Sequence, residues 1–205
     1  MNMYQIILAS ESPRRKEIME NMGIPYQVMA SNVKEEVEEL IPDQMVQALA
    51  KLKTDTIKEQ VRKRSDVDKD IILIGADTMV FFEEHALGKP KDREDAARML
   101  RMLSDKVHEV CTGVSIVIMT QDGSEKNISF AVSTKVRVNP LTEKQIQEYI
   151  ATGEPMDKAG AYAIQGKFGI FIKEIEGDYY NIVGFPIAEI YAVMLRHGID
   201  LKNLN

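Results

Sequence analysis

The run Leu8-Ala9-Ser10 leads at once into Ser12-Pro13-Arg14-Arg15, and this junction is the first place where the chain could do chemistry. A helix beginning there presents free backbone N–H groups and the positive end of its dipole, which favour an anion. Arg14 and Arg15 in the first turn oppose that dipole unless an anion joins them, and guanidinium groups suit bidentate phosphate contact. The residues alone equally allow a capped helix with two solvated arginines. A second candidate is Gly75-Ala76-Asp77-Thr78, where an apolar strand is expected to end in a small-residue turn. A carboxylate beyond the carboxyl end of a strand in an open α/β sheet can serve as a metal ligand or general base, or simply as a turn cap. Lys89 and Lys91 flank Pro90 in a rigid loop that is either a cationic site or a solvated hairpin end. Gln165 lies within the glycine-rich stretch 153–186 and carries both a donor and an acceptor for a base edge. Tight turns account for much of that stretch as well.

Alternating elements must position these groups. Tyr4 to Ala9 reads as a buried strand, and Ser12 with Pro13 as N-cap and first position of a helix that Gly23 and Pro25 end. A short strand is expected at Tyr26 to Ala30. A helix opens at Pro42-Asp43, with Met45, Val46, Leu49, Leu52 and Thr56 at helical spacing, and gives way over 58–70 to a charged helix end and loop. Ile71 to Ile74 is unalternating, as in a strand covered on both faces. Asp92 caps a helix to Leu103, and Thr142 with Gln145 forms a capping box for a helix to Ala151. Val107 to Met119 and Ile128 to Val138 flank Asp122-Gly123 as a hairpin. Strands are expected at Gly169 to Ile175 and Tyr179 to Val183, and a last helix at Ile187 to His197. Helices alternate with strands early and hairpins follow, which predicts an α/β fold with a mixed sheet, in one domain over residues 1–205.

Composition narrows the function. The chain has 205 residues, 26 Lys plus Arg against 32 Asp plus Glu, and a net charge of −6. That balance argues against a nucleic-acid coat or a polybasic membrane binder, yet it allows one small anion in a local basic site. The single cysteine, Cys111, excludes an intramolecular disulfide and suits a reducing compartment; a buried small hydrophobe is its expected role. No basic leader or long apolar run is present, so a soluble cytoplasmic protein is expected. His85, His108 and His197 show no metal spacing, so surface or strand positions are expected for them.

Taken in order, the segments resemble the Maf family of nucleoside triphosphate pyrophosphatases. The blocks are Leu8-Ala9-Ser10 with Ser12-Pro13-Arg14-Arg15, Leu49-Ala50 with Lys53, Gly75-Ala76-Asp77-Thr78, and Leu87-Gly88-Lys89-Pro90. They continue with Leu103-Ser104, His108 and Thr112-Gly113-Val114, then Asp157 to Tyr162 with Ile164-Gln165-Gly166, and Gly177 to Asn181 with Val183-Gly184 and Pro186. The resemblance implies an elongated mixed sheet flanked by helices, with two lobes around a cleft, similar to inosine-triphosphate pyrophosphatases. It also implies cleavage of a nucleoside triphosphate to monophosphate and pyrophosphate with Mg²⁺ or Mn²⁺, and a homodimer. By the match, Ser10, Arg14, Arg15, Lys53 and Lys89 would hold the triphosphate. Asp77 would activate water, as base or metal-bound carboxylate, and Glu35 would help bind the metal, with Glu36 as its neighbouring rival. Arg14, Thr78 and Gln165 match the branch acting on dTTP and UTP, whereas the 7-methyl-GTP branch resembles Trp, Gln and Glu there. Asp105, Cys111, Thr54 and Lys34 depart from the family pattern, replacing a glycine, an aromatic, an alanine and an acidic residue.

The resemblance thus implies hydrolysis of dTTP and UTP, for which in-line attack of an activated water is the expected course. Two rivals use the same basic cleft: a nucleotide-sensing division regulator that binds without hydrolysis, and a 7-methyl-GTP pyrophosphatase. No aromatic-plus-basic stripe supports a nucleic-acid-binding module.

Overall fold

The strand β3 (Asp70–Phe82) is buried at every position from Asp70 to Asp77, as expected for an apolar run covered on both faces. The computed structural model describes residues 4–31, 41–64, 69–83 and 85–204. In it, β3 runs parallel to β1 (Tyr4–Leu8), with Leu8 opposite Ile74, and antiparallel to β4 (His85–Leu87), with Val80 opposite Leu87. β2 (Gln27–Val28) lies parallel on the outer edge of β1. β5 (Val107–Met119), β6 (Glu125–Val138) and β7 (Ile172–Glu176) complete a mixed seven-stranded sheet, ordered β2-β1-β3-β5-β6-β7. The helices are α1 (Pro13–Asn21), α2 (Pro42–Arg62), α3 (Arg93–Leu103), α4 (Glu143–Ala151), α5 (Tyr179–Val183) and α6 (Ile187–Arg196). The expected mixed α/β class is what forms.

The chain divides into two compact units. The first comprises Met1–Asp77, Thr112–Ala131 and Gly184–Asn205, and the second Thr78–Cys111 and Val132–Val183. In the first unit, α2 seats Ile57 and Val61 against Ile7, Ile71, Leu73 and Val117. Two glycines set how closely it sits. A Cβ on Gly113 would lie 2.2 Å from the Val46 carbonyl carbon, and one on Gly75 would lie 2.7 Å from Thr54 Cγ2 and 3.0 Å from Ala50 O. The helix backbone therefore rests almost directly on β3 and β5. Thr54 is fully buried in that contact, where its hydroxyl shares a 2.7 Å hydrogen bond with Ser115 and donates to Lys51 O at 2.9 Å. The hydroxyl that replaces the family's alanine is thus satisfied.

In the second unit, Asp92 caps α3 through the Asp95 N–H, and Thr142 with Gln145 forms the full capping box of α4. Arg101 of α3 bridges to Glu143 of α4 through two hydrogen bonds, 2.9 and 2.5 Å. In the same unit the tilted rings of Tyr149 and Tyr162 pack against Phe168 at 5.0 and 4.9 Å.

Three local expectations differ from the structure. β3 does not turn at Gly75-Ala76-Asp77-Thr78 but continues to Phe82, because the small residues there admit α2 rather than bend the chain. α2 ends at Arg62, within the charged stretch where a helix end is expected, and Ile57 and Val61 carry its buried face that far. Tyr179–Val183 is a short helix, not a strand, since the Asp178 side chain accepts from the Tyr180 N–H at 2.8 Å and so opens a helical turn. A strand from Gly169 begins only at Ile172, after a 3-10 turn over Lys167–Phe171.

Candidate active site

Ser10 lies two residues past the end of β1, and its burial is a consequence of the pairing beside it: Ala9 N donates to Ile74 O at 2.8 Å. The Ser10 hydroxyl accepts from Ser12 N at 3.2 Å and from Arg15 Nη1 at 3.0 Å. Arg15 also donates from Nε to Gly184 O at 2.8 Å. Its guanidinium is therefore braced from two sides at the start of α1. Ser12 occupies the N-cap position but makes no side-chain cap, so its hydroxyl does not satisfy the first-turn N–H groups. Arg14 Nε is buried with no hydrogen-bond partner among the described residues. A buried, unsatisfied cationic donor at a helix N-terminus is costly unless an acceptor joins it.

Across the parallel pair, β3 carries Asp77 two residues beyond Gly75. The close seating of α2 at Gly75 brings Lys53, one turn along from Ala50, to Asp77: Lys53 Nζ lies 2.5 Å from Asp77 Oδ1. Both side chains are about nine-tenths buried, 12% and 11% exposed. A charge-assisted bond of that length in a shielded setting is among the stronger polar contacts a protein makes. The residue pattern singles out Asp77 and the resemblance Lys53; their direct pairing is a product of the fold.

Thr78, Lys89 and Gln165 belong to the second unit. Thr78 follows Asp77 within β3 and is half-buried. Lys89 is exposed just after β4, in a loop tied by the Gly160 N–H to Gly88 O at 3.1 Å. Gln165 is exposed on a turn in which Gly166 N donates to Ala163 O at 3.1 Å. Glu35 and its rival Glu36 lie outside the described residues. Among the described residues, no group of three or more His, Cys, Asp or Glu side chains is arranged to hold a metal. Nor is any helix there long and apolar enough to cross a membrane.

His108, in β5, is buried, sharing a 2.8 Å hydrogen bond with Tyr162 Oη through Nε2. Burial pulls its pKa down to about 4 and pushes that of Tyr162 up. His85 and His197 are exposed. Cys111 is buried, as expected of a small hydrophobe. Two groups escaped the sequence reading: Tyr149, whose hydroxyl donates to Glu154 at 2.8 Å, and Glu154 itself. The signal was faint, a carboxylate between Gly153 and Pro155 just past a helix end.

The braced arginine at the start of α1 and the shielded Lys53–Asp77 pair, its carboxylate inside β3, make up the candidate site. The family model for Maf-like protein matches residues 5–197, and the chain belongs to that family. It is 46% identical over 199 residues to the dTTP/UTP pyrophosphatase of Lachnoclostridium phytofermentans, covering 97% of this chain and 98% of that protein. It is 44% identical over 205 residues to the dTTP/UTP pyrophosphatase of Agathobacter rectalis, covering 97% and 100%. The structure of the Staphylococcus aureus Ham1 protein aligns with a TM-score of 0.43 at 16% identity, covering 94% of this chain and 99% of that one.

Proposed function

We propose that this chain hydrolyses dTTP and UTP to the nucleoside monophosphate and pyrophosphate. The observation that carries the reading is the shielded Lys53–Asp77 pair at 2.5 Å, held between α2 and β3. The names and near full-length coverage of the two relatives support the substrate class.

In this mechanism Arg14, Arg15, Lys53 and Lys89 bind the triphosphate and balance its charge, with Ser10 holding Arg15 in orientation. Asp77, steadied by Lys53, accepts a proton from the attacking water. The new P–O bond forms as the phosphoanhydride bond breaks, and pyrophosphate leaves with the bonding pair. The same four cations stabilise the charge that develops on the departing oxygens. Gln165 pairs with the pyrimidine edge, Thr78 and Arg14 completing the choice of base. Mg²⁺ or Mn²⁺ would neutralise phosphate oxygens when bound. Asp77 is a hard oxygen donor of the kind such ions take, and magnesium is commonly held by one or two carboxylates plus substrate phosphates. Asp77 with Glu35 would hold it. The single buried cysteine accords with work in a reducing cytoplasm.

The test is pyrophosphate release from UTP, dTTP and 7-methyl-GTP by the purified protein with Mg²⁺. Release from UTP and dTTP is expected, with Asp77→Asn slowed about 100- to 10,000-fold and its circular dichroism unchanged. No pyrophosphate from any triphosphate would leave a nucleotide-binding regulator as the better reading. Wild-type turnover by Asp77→Asn would remove Asp77 from the chemistry.

A further inference from the structure

Gln165 sits at the tip of a tight turn, and both ends of that turn are tied to the same pair of side chains. Tyr149, near the end of α4, accepts the Ala163 N–H on its hydroxyl at 3.2 Å. The same hydroxyl donates to Glu154 Oε1 at 2.8 Å. Glu154 Oε2 in turn accepts the Lys167 N–H at 3.1 Å. The backbone N–H groups two residues before and two residues after Gln165 are therefore held by one hydroxyl–carboxylate pair. The pair is itself anchored. Thr152 Oγ1 donates to Tyr149 O at 2.7 Å and accepts from Glu154 N at 3.2 Å, while the Tyr149 ring packs 5.0 Å from Phe168.

The residue after Gln165 fits this arrangement. A Cβ on Gly166 would lie 2.2 Å from Glu154 Oε1, so the carboxylate occupies the space that any other side chain would need. The Gln-Gly pair singled out in the sequence is thus explained in two parts: an exposed amide facing outward, and a bare backbone pressed against Glu154. Burial and the hydrogen bond to Glu154 both raise the Tyr149 pKa, so the hydroxyl keeps the proton it donates. Interconnected polar contacts of this kind in a shielded setting rigidify the segment they hold.

We infer that Tyr149 and Glu154 are positioning residues that clamp the Gln165 turn, holding its amide in register with a pyrimidine edge. The inference rests on the base-reading role proposed for Gln165. A base-reading amide acts only if its carbonyl and amino ends meet the base together, and a loose turn would spread them over many orientations. Neither clamp residue touches substrate; they act through the backbone of the turn.

The experiment compares UTP, dTTP and 7-methyl-GTP turnover by wild type, Tyr149→Phe, Glu154→Gln, Gln165→Ala and the Tyr149→Phe/Gln165→Ala double variant. Amide hydrogen exchange at Ala163 and Lys167 is followed in parallel. For Tyr149→Phe, which keeps the ring and its packing, KM for UTP and dTTP should rise roughly 10- to 100-fold, with a smaller fall in kcat. Exchange at the two amides should quicken, and Glu154→Gln should behave in the same direction. In the Gln165→Ala background, Tyr149→Phe should cost little further discrimination, because both changes remove one device. Faster exchange with unchanged discrimination would overturn the inference, as would equal losses in both backgrounds, which a merely structural pair would give. If Gln165→Ala itself keeps full discrimination, the base-reading role falls and the clamp's role in selectivity falls with it. If Gln165→Ala loses discrimination and Tyr149→Phe does not, the clamp alone falls.

Discussion

Asp105 holds φ at +56°, in the left-handed region where the family pattern has glycine. Aspartate tolerates that region better than most residues, yet it still bears strain of about 1–2 kcal/mol that glycine escapes. Glycine would give back about 0.4–1 kcal/mol by loosening the unfolded chain. The balance favours glycine, so Asp105→Gly is expected to stabilise by about 0.5 kcal/mol, read as a higher urea midpoint with an unchanged slope. A lower midpoint would mean that the aspartate side chain contributes a local contact worth more than the strain. The site residues differ in how far their types betrayed them. Arg14 and Arg15 stood out because their charges oppose a helix dipole, and Asp77 because it reads as a carboxylate at the end of an apolar strand. Lys53 stood out only through the resemblance, since one lysine on a charged helix face is ordinary. Its bond to Asp77 joins residues 24 positions apart in the chain, which no local pattern encodes.

At the scale of elements, the seat of α2 governs where Lys53 reaches. Gly113→Ala would put a methyl 2.2–2.5 Å from the Val46 carbonyl and Gln47 nitrogen. Backbone atoms cannot rotate aside, so a loss of about 2–3 kcal/mol is expected, measured by chemical denaturation. Turnover should fall even under conditions where the variant stays folded, since lifting α2 parts Lys53 from Asp77. Full activity in the folded variant would show that the helix seat and the ion pair are independent. The elements that were legible beforehand are those with local signals: α3 through Asp92, α4 through Thr142 and Gln145, and the β5–β6 hairpin through Asp122-Gly123. The misread ones carry signals with two meanings. Gly75-Ala76 resembles a turn but makes room for a helix, and Tyr179 to Val183 has strand-like residues inside a turn that Asp178 opens. The Tyr149–Glu154 clamp was hidden because its partners, Ala163 and Lys167, contribute only backbone.

For the molecule as a whole, stability should depend on pH through His108. Burial lowers its folded pKa to about 4, below the ordinary value near 6.5, so the unfolded chain binds the extra proton first. Its contribution is fully present above about pH 6.5 and declines as pH falls through the folded value. The total at stake is about 3 kcal/mol. Urea midpoints of wild type should therefore drop between pH 6.5 and 4 more steeply than those of His108→Gln. Parallel curves would show that acid destabilisation has another source.

The burial of Cys111 in β5 also supplies a clock. A thiol with 1% exposure meets a soluble alkylating reagent only when the middle of the sheet opens, so labelling rates count those openings. With one cysteine in the chain, every label reports the same strand. A nucleotide that binds only the closed form slows the count by its own affinity. Binding can thus be timed in Asp77→Asn, where slowed turnover leaves the nucleotide intact for longer.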